Sequence, residues 1–145
     1  MKDLYRQIIM DHYKYPKNKG LNPNKESIIV HLNNPSCGDE ISVQINLKSD
    51  IITDIRHSGT GCSICCASAS VMSSTLKNLD KKTSIETIRG FYGMIRGDQK
   101  ISELLNYESL AFKGVTNFPA RIKCATLAWK AIEKGINSHK GEKNG

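Results

Sequence analysis

The chain has 145 residues and a formal net charge of +7, and its hydrophobic, aromatic and charged fractions are 39%, 6% and 24%. This length suits one domain whose core needs no disulfide bonds. No stretch approaches the ~18 consecutive apolar residues of a membrane span, and the charged N-terminus lacks the apolar centre of a secretory signal. We therefore expect a cytoplasmic protein with no membrane partner.

The basic charge is spread along the chain, and aromatic residues do not alternate with the lysines as a nucleic-acid stacking surface requires. We therefore expect no nucleic-acid partner. Because the cytosol keeps thiols reduced, the five cysteines are better candidates for metal binding or catalysis than for disulfide bonds.

The predicted elements begin with an amphipathic helix over residues 3–15, in which apolar side chains recur at helical spacing and Asp3 is expected to cap the start. Three strand patterns follow, at residues 28–32, 41–47 and 51–57. The middle pattern alternates between apolar and polar residues, which predicts a half-buried strand. Because only Ser49 and Asp50 separate the second and third strands, we predict a tight hairpin.

Helical spacing dominates the second half of the chain. Ser63 is the predicted N-cap of one helix, and Thr83–Glu86 matches a capping box that opens the next. Residues 97–116 predict a loop with one or two short helical turns. Pro119 suits the first turn of a final helix, which Gly135 is expected to end.

One helix, three strands and then helices predict an α+β fold, in which a small three-stranded antiparallel sheet is covered by helices on one face. No internal repeat or linker divides the chain. We predict a single domain over residues 1–136 and a polar, flexible tail over residues 137–145.

Three cysteines and one aspartate fall at the boundaries of these elements. Cys37 lies two residues before Asp39, on the turn between the first two strands. Cys62 lies at the start of a helix, and Cys124 lies in the first turns of the last helix. Three thiolates and a carboxylate could supply the four ligands of a tetrahedral zinc ion. The spacing leaves a second alternative open, since free cysteines are often separate buried residues.

Four stretches of the sequence together resemble one known family. They are YRQIIMDHYKYPKNKG near the start, NPSCGDEI, GTGCSICCASASVM, and ARIKCATLAWKAI near the end. In content and order they resemble the U-type iron–sulfur cluster assembly proteins, in particular the SufU branch, which is related to the scaffold IscU and to the N-terminal part of NifU. The resemblance implies a SufE/IscU-like fold. It also implies a shared metal site, made of Cys37, Asp39, Cys62 and Cys124.

Two features resemble the SufU branch more than IscU. Lys123 stands where IscU proteins have a histidine before the last cysteine, and a protonated lysine amine is a poor metal ligand. Residues 97–116 fall where SufU-like proteins carry an insertion. The resemblance therefore implies bound Zn²⁺ and a sulfur carrier that is served by a SufS-type cysteine desulfurase and supplies downstream iron–sulfur assembly proteins. The alternative is an IscU-like scaffold that assembles iron into a 2Fe–2S cluster on the same residues.

The loop position of Cys37 predicts that this residue accepts the sulfur, because it can leave a metal at the least conformational cost. In this hypothesis, Cys37 attacks the persulfide of the desulfurase in a sulfurtransferase-like step. Two rival functions stay open at this point: a small zinc-stabilised nucleic-acid-binding module, and a protein whose zinc is purely structural.

Two further thiols depart from the family pattern. Together with Cys62, Cys65 forms a CxxC sequence at the start of the helix, and Cys66 follows directly. Cys65 could act as an alternative ligand, but we favour a packing role for both, since small residues are common on helix faces.

Four charged or titratable residues have a functional and an ordinary interpretation. The resemblance implies that His12 helps to contact the desulfurase, although a polar helix position explains it equally well. His57 is expected on the strand surface rather than as a spare ligand. Arg121 and Lys123 are expected either to offset the negative charge of the metal site or to be exposed helix charges.

Overall fold

In the computed structural model, which describes residues 2–139, one helix precedes a three-stranded sheet and four helices follow it. The first half comprises α1 (Lys2–Lys14), β1 (Ile28–Asn34), β2 (Asp39–Lys48) and β3 (Ile51–Thr60). The second half comprises α2 (Ser63–Leu76), α3 (Lys81–Arg96), the short α4 (Tyr107–Leu110), a 3₁₀ turn (Lys113–Asn117) and α5 (Pro119–Ser138). The predicted α+β order is confirmed.

The sheet has the strand order β1-β2-β3, and both pairs of neighbours are antiparallel. Ser49 and Asp50 form the tight connection between β2 and β3, with φ angles of 54° and 63°. Positive φ at both central residues is what a two-residue hairpin needs to match the twist of its strands. The predicted hairpin is therefore present.

Helices cover one face of this sheet: α5 packs against β1 and β2, α2 packs against β3, and α1 packs on α2. Gly135 lies at the contact between α5 and the sheet, where an added Cβ would lie 3.3 Å from Ile45 and 3.5 Å from Val30. The prediction that Gly135 ends the helix is wrong, because its small size serves close packing and α5 continues to Ser138.

The core joins three helices around Trp129. Its ring stacks on Phe91 with the centroids 3.9 Å apart and the planes 7° from parallel. Its indole N–H donates to Ser68 Oγ at 2.9 Å, and the Ser68 hydroxyl donates to the Ala125 carbonyl at 2.6 Å. Because these hydrogen bonds hold α2 and α5 against each other, the residues near the N-terminal ends of both helices are also held in fixed positions.

Three predicted helix starts differ from the structure. Asp3 lies within the first turn of α1, and Ser63 is the first residue of α2, whose N-cap is Cys62. The N-cap of α3 is Asp80, whose carboxylate accepts from the Thr83 N–H at 2.9 Å. The capping box predicted at Thr83 is therefore already inside the helix.

The segment from 97 to 116 contains α4 and most of the 3₁₀ turn, as the sequence predicted. Asn137 and Ser138, which were expected in the tail, belong to α5. The last six tail residues, 140–145, lie outside the described residues. Within residues 2–139, no helix is both long enough and apolar enough to cross a bilayer.

Candidate metal centre

A tight turn between β1 and β2 exposes Cys37. The carbonyl oxygen of Asn34 accepts hydrogen bonds from the backbone N–H groups of Cys37, at 3.1 Å, and of Gly38, at 3.0 Å. Gly38 has a φ of 73°, a conformation that glycine adopts without steric cost. The turn leaves Cys37 exposed, while Asp39, two residues further on, is only 1% exposed.

Three of the candidate ligands from distant parts of the sequence meet at one point. The ligand atoms of Cys37, Asp39 and Cys124 all lie within 4.8 Å of one another. The sulfurs of Cys37 and Cys124 are 3.5 Å apart. Because the first two residues lie beside the β1–β2 turn and the third lies on α5, folding is what brings the group together.

The Asp39 carboxylate is held by one oxygen and free at the other. Oδ1 accepts a hydrogen bond of 3.0 Å from the backbone N–H of Cys62. Oδ2 is buried and has no hydrogen-bond partner within residues 2–139. Gly61 makes room for this arrangement, since a Cβ there would lie 2.5 Å from Oδ1. A buried, unpaired carboxylate oxygen is costly, so this oxygen suits a metal ion.

Cys62 lies beside the group of three but is not a member of it. It is half-buried at the N-cap of α2. Burial raises the pKa of the Cys124 thiol, and the adjacent Asp39, Cys37 and Cys62 side chains raise it further. The metal-free centre therefore favours the protonated thiol at Cys124, and a metal ion has to displace that proton on binding.

Arg121 and Asn34 also contact the sulfurs. A hydrogen bond with Cys124, together with the charges of Cys62 and Cys124, raises the pKa of the Arg121 guanidinium. The Asn34 side-chain amide donates to the Cys124 sulfur at 3.9 Å. Of the two expected cations, Arg121 therefore contacts the centre, whereas Lys123 is exposed on α5. Asn34 is not among the site residues predicted from the sequence, although it belongs to the same turn motif as Cys37.

The other two thiols lie outside the group of three. Cys65 is fully buried in the hydrophobic core, and this burial raises the pKa of its thiol. Cys66 is half-buried, and its sulfur donates to the Gly61 carbonyl at 3.6 Å. Cys65 therefore packs in the core, where the charge of Asp39 also raises the pKa of its thiol.

Both histidines discussed above are buried. His57 is 3% exposed, and its Nε2 donates to the Lys17 carbonyl at 2.7 Å, so the expected surface position is wrong. Burial lowers the pKa of its imidazole, which favours the neutral ring. His12 lies between Ser70 Oγ, at 2.7 Å, and the Glu108 carboxylate, at 3.2 Å, and so connects α1, α2 and α4.

An apolar groove of about 520 Å³ lies beside the centre. Its walls come from α1, α2, the 3₁₀ turn and the start of α5, with Ile9, Met10, Ile64, Val115, Phe118 and Arg121 among the lining residues. Phe118 is 63% exposed. The nearby Ala120 carbonyl lies 4.0 Å from the Cys37 sulfur. Large exposed apolar surfaces of this kind are typical of protein contacts.

The donor set determines which metals fit. Thiolate sulfur together with one carboxylate oxygen suits tetrahedral Zn²⁺, and thiolates also hold iron–sulfur clusters. The unpaired Asp39 oxygen and the two adjacent sulfurs supply three ligands, and Cys62 is the nearby candidate for a fourth.

Comparisons with known proteins give a matching family model and similar relatives. The family model described as NifU-like N terminal domain matches residues 4–144. The chain is 46% identical over 138 residues to the zinc-dependent sulfurtransferase SufU of Bacillus subtilis, which covers 95% of this chain and 92% of that protein. It is 37% identical to the iron–sulfur cluster assembly scaffold protein IscU of Streptococcus pyogenes, over 92% of this chain and 82% of that protein.

A solved structure supports the fold. The N-terminal part of a NifU-like protein from Brucella abortus superposes with a TM-score of 0.82 at 19% identity, covering 94% of each chain. At this identity the likeness concerns the fold alone.

Proposed function

This chain belongs to the NifU-like N-terminal domain family, and from that premise we propose that it is a zinc-dependent sulfur carrier for iron–sulfur cluster biogenesis. It accepts sulfur from a SufS-type cysteine desulfurase and delivers it to downstream iron–sulfur assembly proteins in the cytoplasm. One observation carries the proposal: the ligand atoms of Cys37, Asp39 and Cys124 lie within 4.8 Å of one another, beside Cys62.

Cys37, Asp39, Cys62 and Cys124 are the proposed zinc ligands. When bound, zinc keeps the thiols deprotonated and, having no redox chemistry, leaves the oxidation state of the sulfur unchanged. The unpaired oxygen of Asp39 supports this assignment, because a cation offsets the cost of burying it. Arg121, which hydrogen-bonds to the Cys124 sulfur, offsets part of the remaining negative charge.

Cys37 is the proposed sulfur acceptor. It is exposed on a turn, whereas Cys62 lies at the N-cap of α2 and Cys124 is buried in the second turn of α5. The Cys37 thiolate attacks the outer sulfur of the donor persulfide and forms a new S–S bond. The S–S bond of the donor breaks, and the donor cysteine leaves as a thiolate. The product is a persulfide on Cys37, and the exchange needs no oxidant.

The apolar groove is the proposed docking surface for the desulfurase. The donor persulfide has to come within bonding distance of Cys37, so the donor must cover the surface beside it. Phe118 projects from this surface two residues before Ala120, whose carbonyl lies 4.0 Å from the Cys37 sulfur. Arg6 and Arg121 also line the groove, which favours a partner with acidic residues at the contact.

The test is sulfur loading of Cys37→Ser, with Cys66→Ser as the matched control. Each full-length protein is incubated anaerobically with a SufS-type desulfurase and cysteine, and peptide mass mapping locates the added sulfur. We expect wild type and Cys66→Ser to carry one extra sulfur atom on Cys37, and Cys37→Ser to carry none. Undiminished loading of Cys37→Ser would rule out the proposed acceptor.

A scaffold function is the second candidate, favoured by the 37% identity to the IscU of S. pyogenes. Metal and acid-labile sulfide analysis of anaerobically purified protein separates the two. The carrier proposal expects zinc close to one per chain and little iron. Iron and sulfide in equal, near-stoichiometric amounts would instead support the scaffold.

A further inference from the structure

We propose that Cys124 is a resolving thiol for Cys37: it displaces the sulfur that Cys37 carries as hydrosulfide and leaves a Cys37–Cys124 disulfide. This inference rests on the proposed function in one respect, namely that sulfur arrives as a persulfide on Cys37. It goes beyond that function by stating that the sulfur leaves the protein as sulfide.

The distance between the two sulfurs carries the inference. They are 3.5 Å apart, which is close to contact between two sulfur atoms. A disulfide bond is ~2.05 Å long, so the atoms have to approach by about 1.5 Å. Cys37 can make this movement because it lies on the exposed turn that ends at Gly38. Cys124 does not have to move, since it is fully buried on α5.

The two residues also differ in exposure, and this difference lets Cys124 attack from one side while the outer sulfur leaves from the other. Cys124 approaches Cys37 from the protein side, while Cys37 faces solvent. We therefore expect a second sulfur on Cys37 to lie on the open side, opposite the attacking sulfur of Cys124. Thiol–disulfide exchange proceeds by such an attack on one sulfur with the other sulfur leaving. Asn34 and Arg121 hold the Cys124 sulfur in place through their side chains.

The step balances without an external oxidant. The Cys124 thiol gives up its proton to solvent as its sulfur attacks Sγ of Cys37, the bond from Sγ of Cys37 to the outer sulfur breaks, and the outer sulfur leaves with the electron pair as HS⁻. The outer sulfur is thereby reduced to sulfide, the form that iron–sulfur clusters contain, and the two cysteines are oxidised to a disulfide. A dithiol reductant then restores both thiols for another cycle.

Metal binding sets the condition for this reaction. A cysteine sulfur that is bound to a metal shares its lone pair with the metal and is not available to attack another sulfur. Protein loaded with zinc is therefore expected to keep its sulfur, and metal-depleted protein is expected to release it.

The experiment charges metal-depleted, full-length protein with inorganic polysulfide, removes the excess anaerobically and adds no thiol. Released sulfide is measured together with peptide mass mapping of disulfides. In wild type and in the control Cys66→Ser, we expect sulfide and the Cys37–Cys124 disulfide in equal amounts. Cys124→Ser is expected to keep the extra sulfur on Cys37 and to lose sulfide release.

Two results would overturn the inference: charged wild type that keeps its sulfur, or release coupled to a disulfide between Cys37 and Cys62. Diamide oxidation of the uncharged wild type gives an independent measurement that needs no variant. Its product must again be the Cys37–Cys124 disulfide, and absence of that disulfide overturns the pairing.

A second arm, charged with a desulfurase and cysteine that are then removed anaerobically, separates this inference from the proposed function. If the desulfurase fails to load Cys37 but the polysulfide arm yields the disulfide, the function is wrong and the resolving pair stands. If the desulfurase loads Cys37 and neither arm yields the disulfide, the resolving pair is wrong and the function stands.

Discussion

The backbone N–H of Cys62 donates a hydrogen bond of 3.0 Å to Oδ1 of Asp39, and this bond joins the start of α2 to the start of β2. The other oxygen of Asp39 is buried without a hydrogen-bond partner in the described part of the chain. The protein therefore fixes the carboxylate through one oxygen and leaves the second one for a ligand. Because that unpaired oxygen is costly without a metal and is a ligand with one, replacing Asp39 should have opposite effects on stability in the metal-free and the metal-bound protein.

Asp39→Asn keeps an oxygen that can accept from Cys62 and removes the buried negative charge. In metal-free protein we expect the variant to be as stable as wild type or more stable, by about 1–3 kcal/mol, because burying a neutral amide costs less than burying a carboxylate charge. With zinc present the order reverses, since loss of this ligand weakens zinc binding by about tenfold or more. Urea unfolding with and without zinc measures both effects.

Glu40→Gln is the matched control for this prediction. Glu40 is the next residue of β2, is exposed, and forms a surface ion pair with His31 at 3.6 Å. Such pairs contribute little to stability, so both unfolding curves should stay close to wild type. A metal-free Asp39→Asn that is clearly less stable than wild type, with zinc affinity unchanged, contradicts the assignment of Asp39.

Gly61→Ala tests the space that the metal centre needs. The added methyl group would lie 2.5 Å from Oδ1 of Asp39, so the carboxylate or the backbone has to shift. We expect weaker zinc binding, by about tenfold, in competition with a chromophoric chelator, because displaced ligands bind metal less well. Gly114→Ala is the control, since a Cβ there has no neighbour within 4 Å. Equal zinc affinities for the two variants count against the proposed centre.

Asp80 gives a prediction about pH. Its hydrogen bonds with Thr83 lower the pKa of the carboxyl group, so its capping of α3 is present at neutral pH and is lost as the pH falls below the ordinary carboxyl range. Asp80→Ala should lower the melting temperature of metal-free protein by a few degrees at pH 7, and the difference from wild type should shrink towards pH 3.

Asp80→Asn is the comparison for the pH series, because asparagine also caps helices well but does not titrate. Its melting temperature should stay close to that of wild type at pH 7. Circular dichroism melts across the pH range check both variants. If the difference in melting temperature between Asp80→Ala and wild type does not change with pH, the charge of Asp80 contributes nothing to the stability of α3.

Local sequence rules located the elements of this fold better than they located the helix ends. Ser49 and Asp50 identified the hairpin because a two-residue connection has few solutions. Thr83 matched a capping box, yet Asp80 caps α3 because its backbone pairs with Ile51 and the Lys81 N–H donates to Asp50. Those contacts lie outside the helix, so the sequence of the helix alone could not predict them.

One part of the candidate metal centre could likewise be predicted from the sequence, and another part could not. The motif around Cys37 and Asp39 was visible in the sequence because its ligands lie two residues apart on a turn. The position of Asn34 against Cys124 depends on how α5 packs beside the β1–β2 turn, and no local pattern encodes that contact. The groove at Phe118 was missed for the same reason, since its walls come from four separate segments.

Phe118→Ala tests the proposed docking surface. A large, exposed aromatic beside the acceptor cysteine is the kind of residue that dominates a protein interface. We expect the concentration of this protein that half-maximally stimulates desulfurase turnover to rise by about tenfold or more, while zinc content and thermal stability stay unchanged. Tyr15→Ala is the control, because Tyr15 is 75% exposed and follows the other end of α1. If both variants stimulate the desulfurase as well as wild type, the donor docks elsewhere, because a partner that covers the groove cannot avoid a side chain that projects from it.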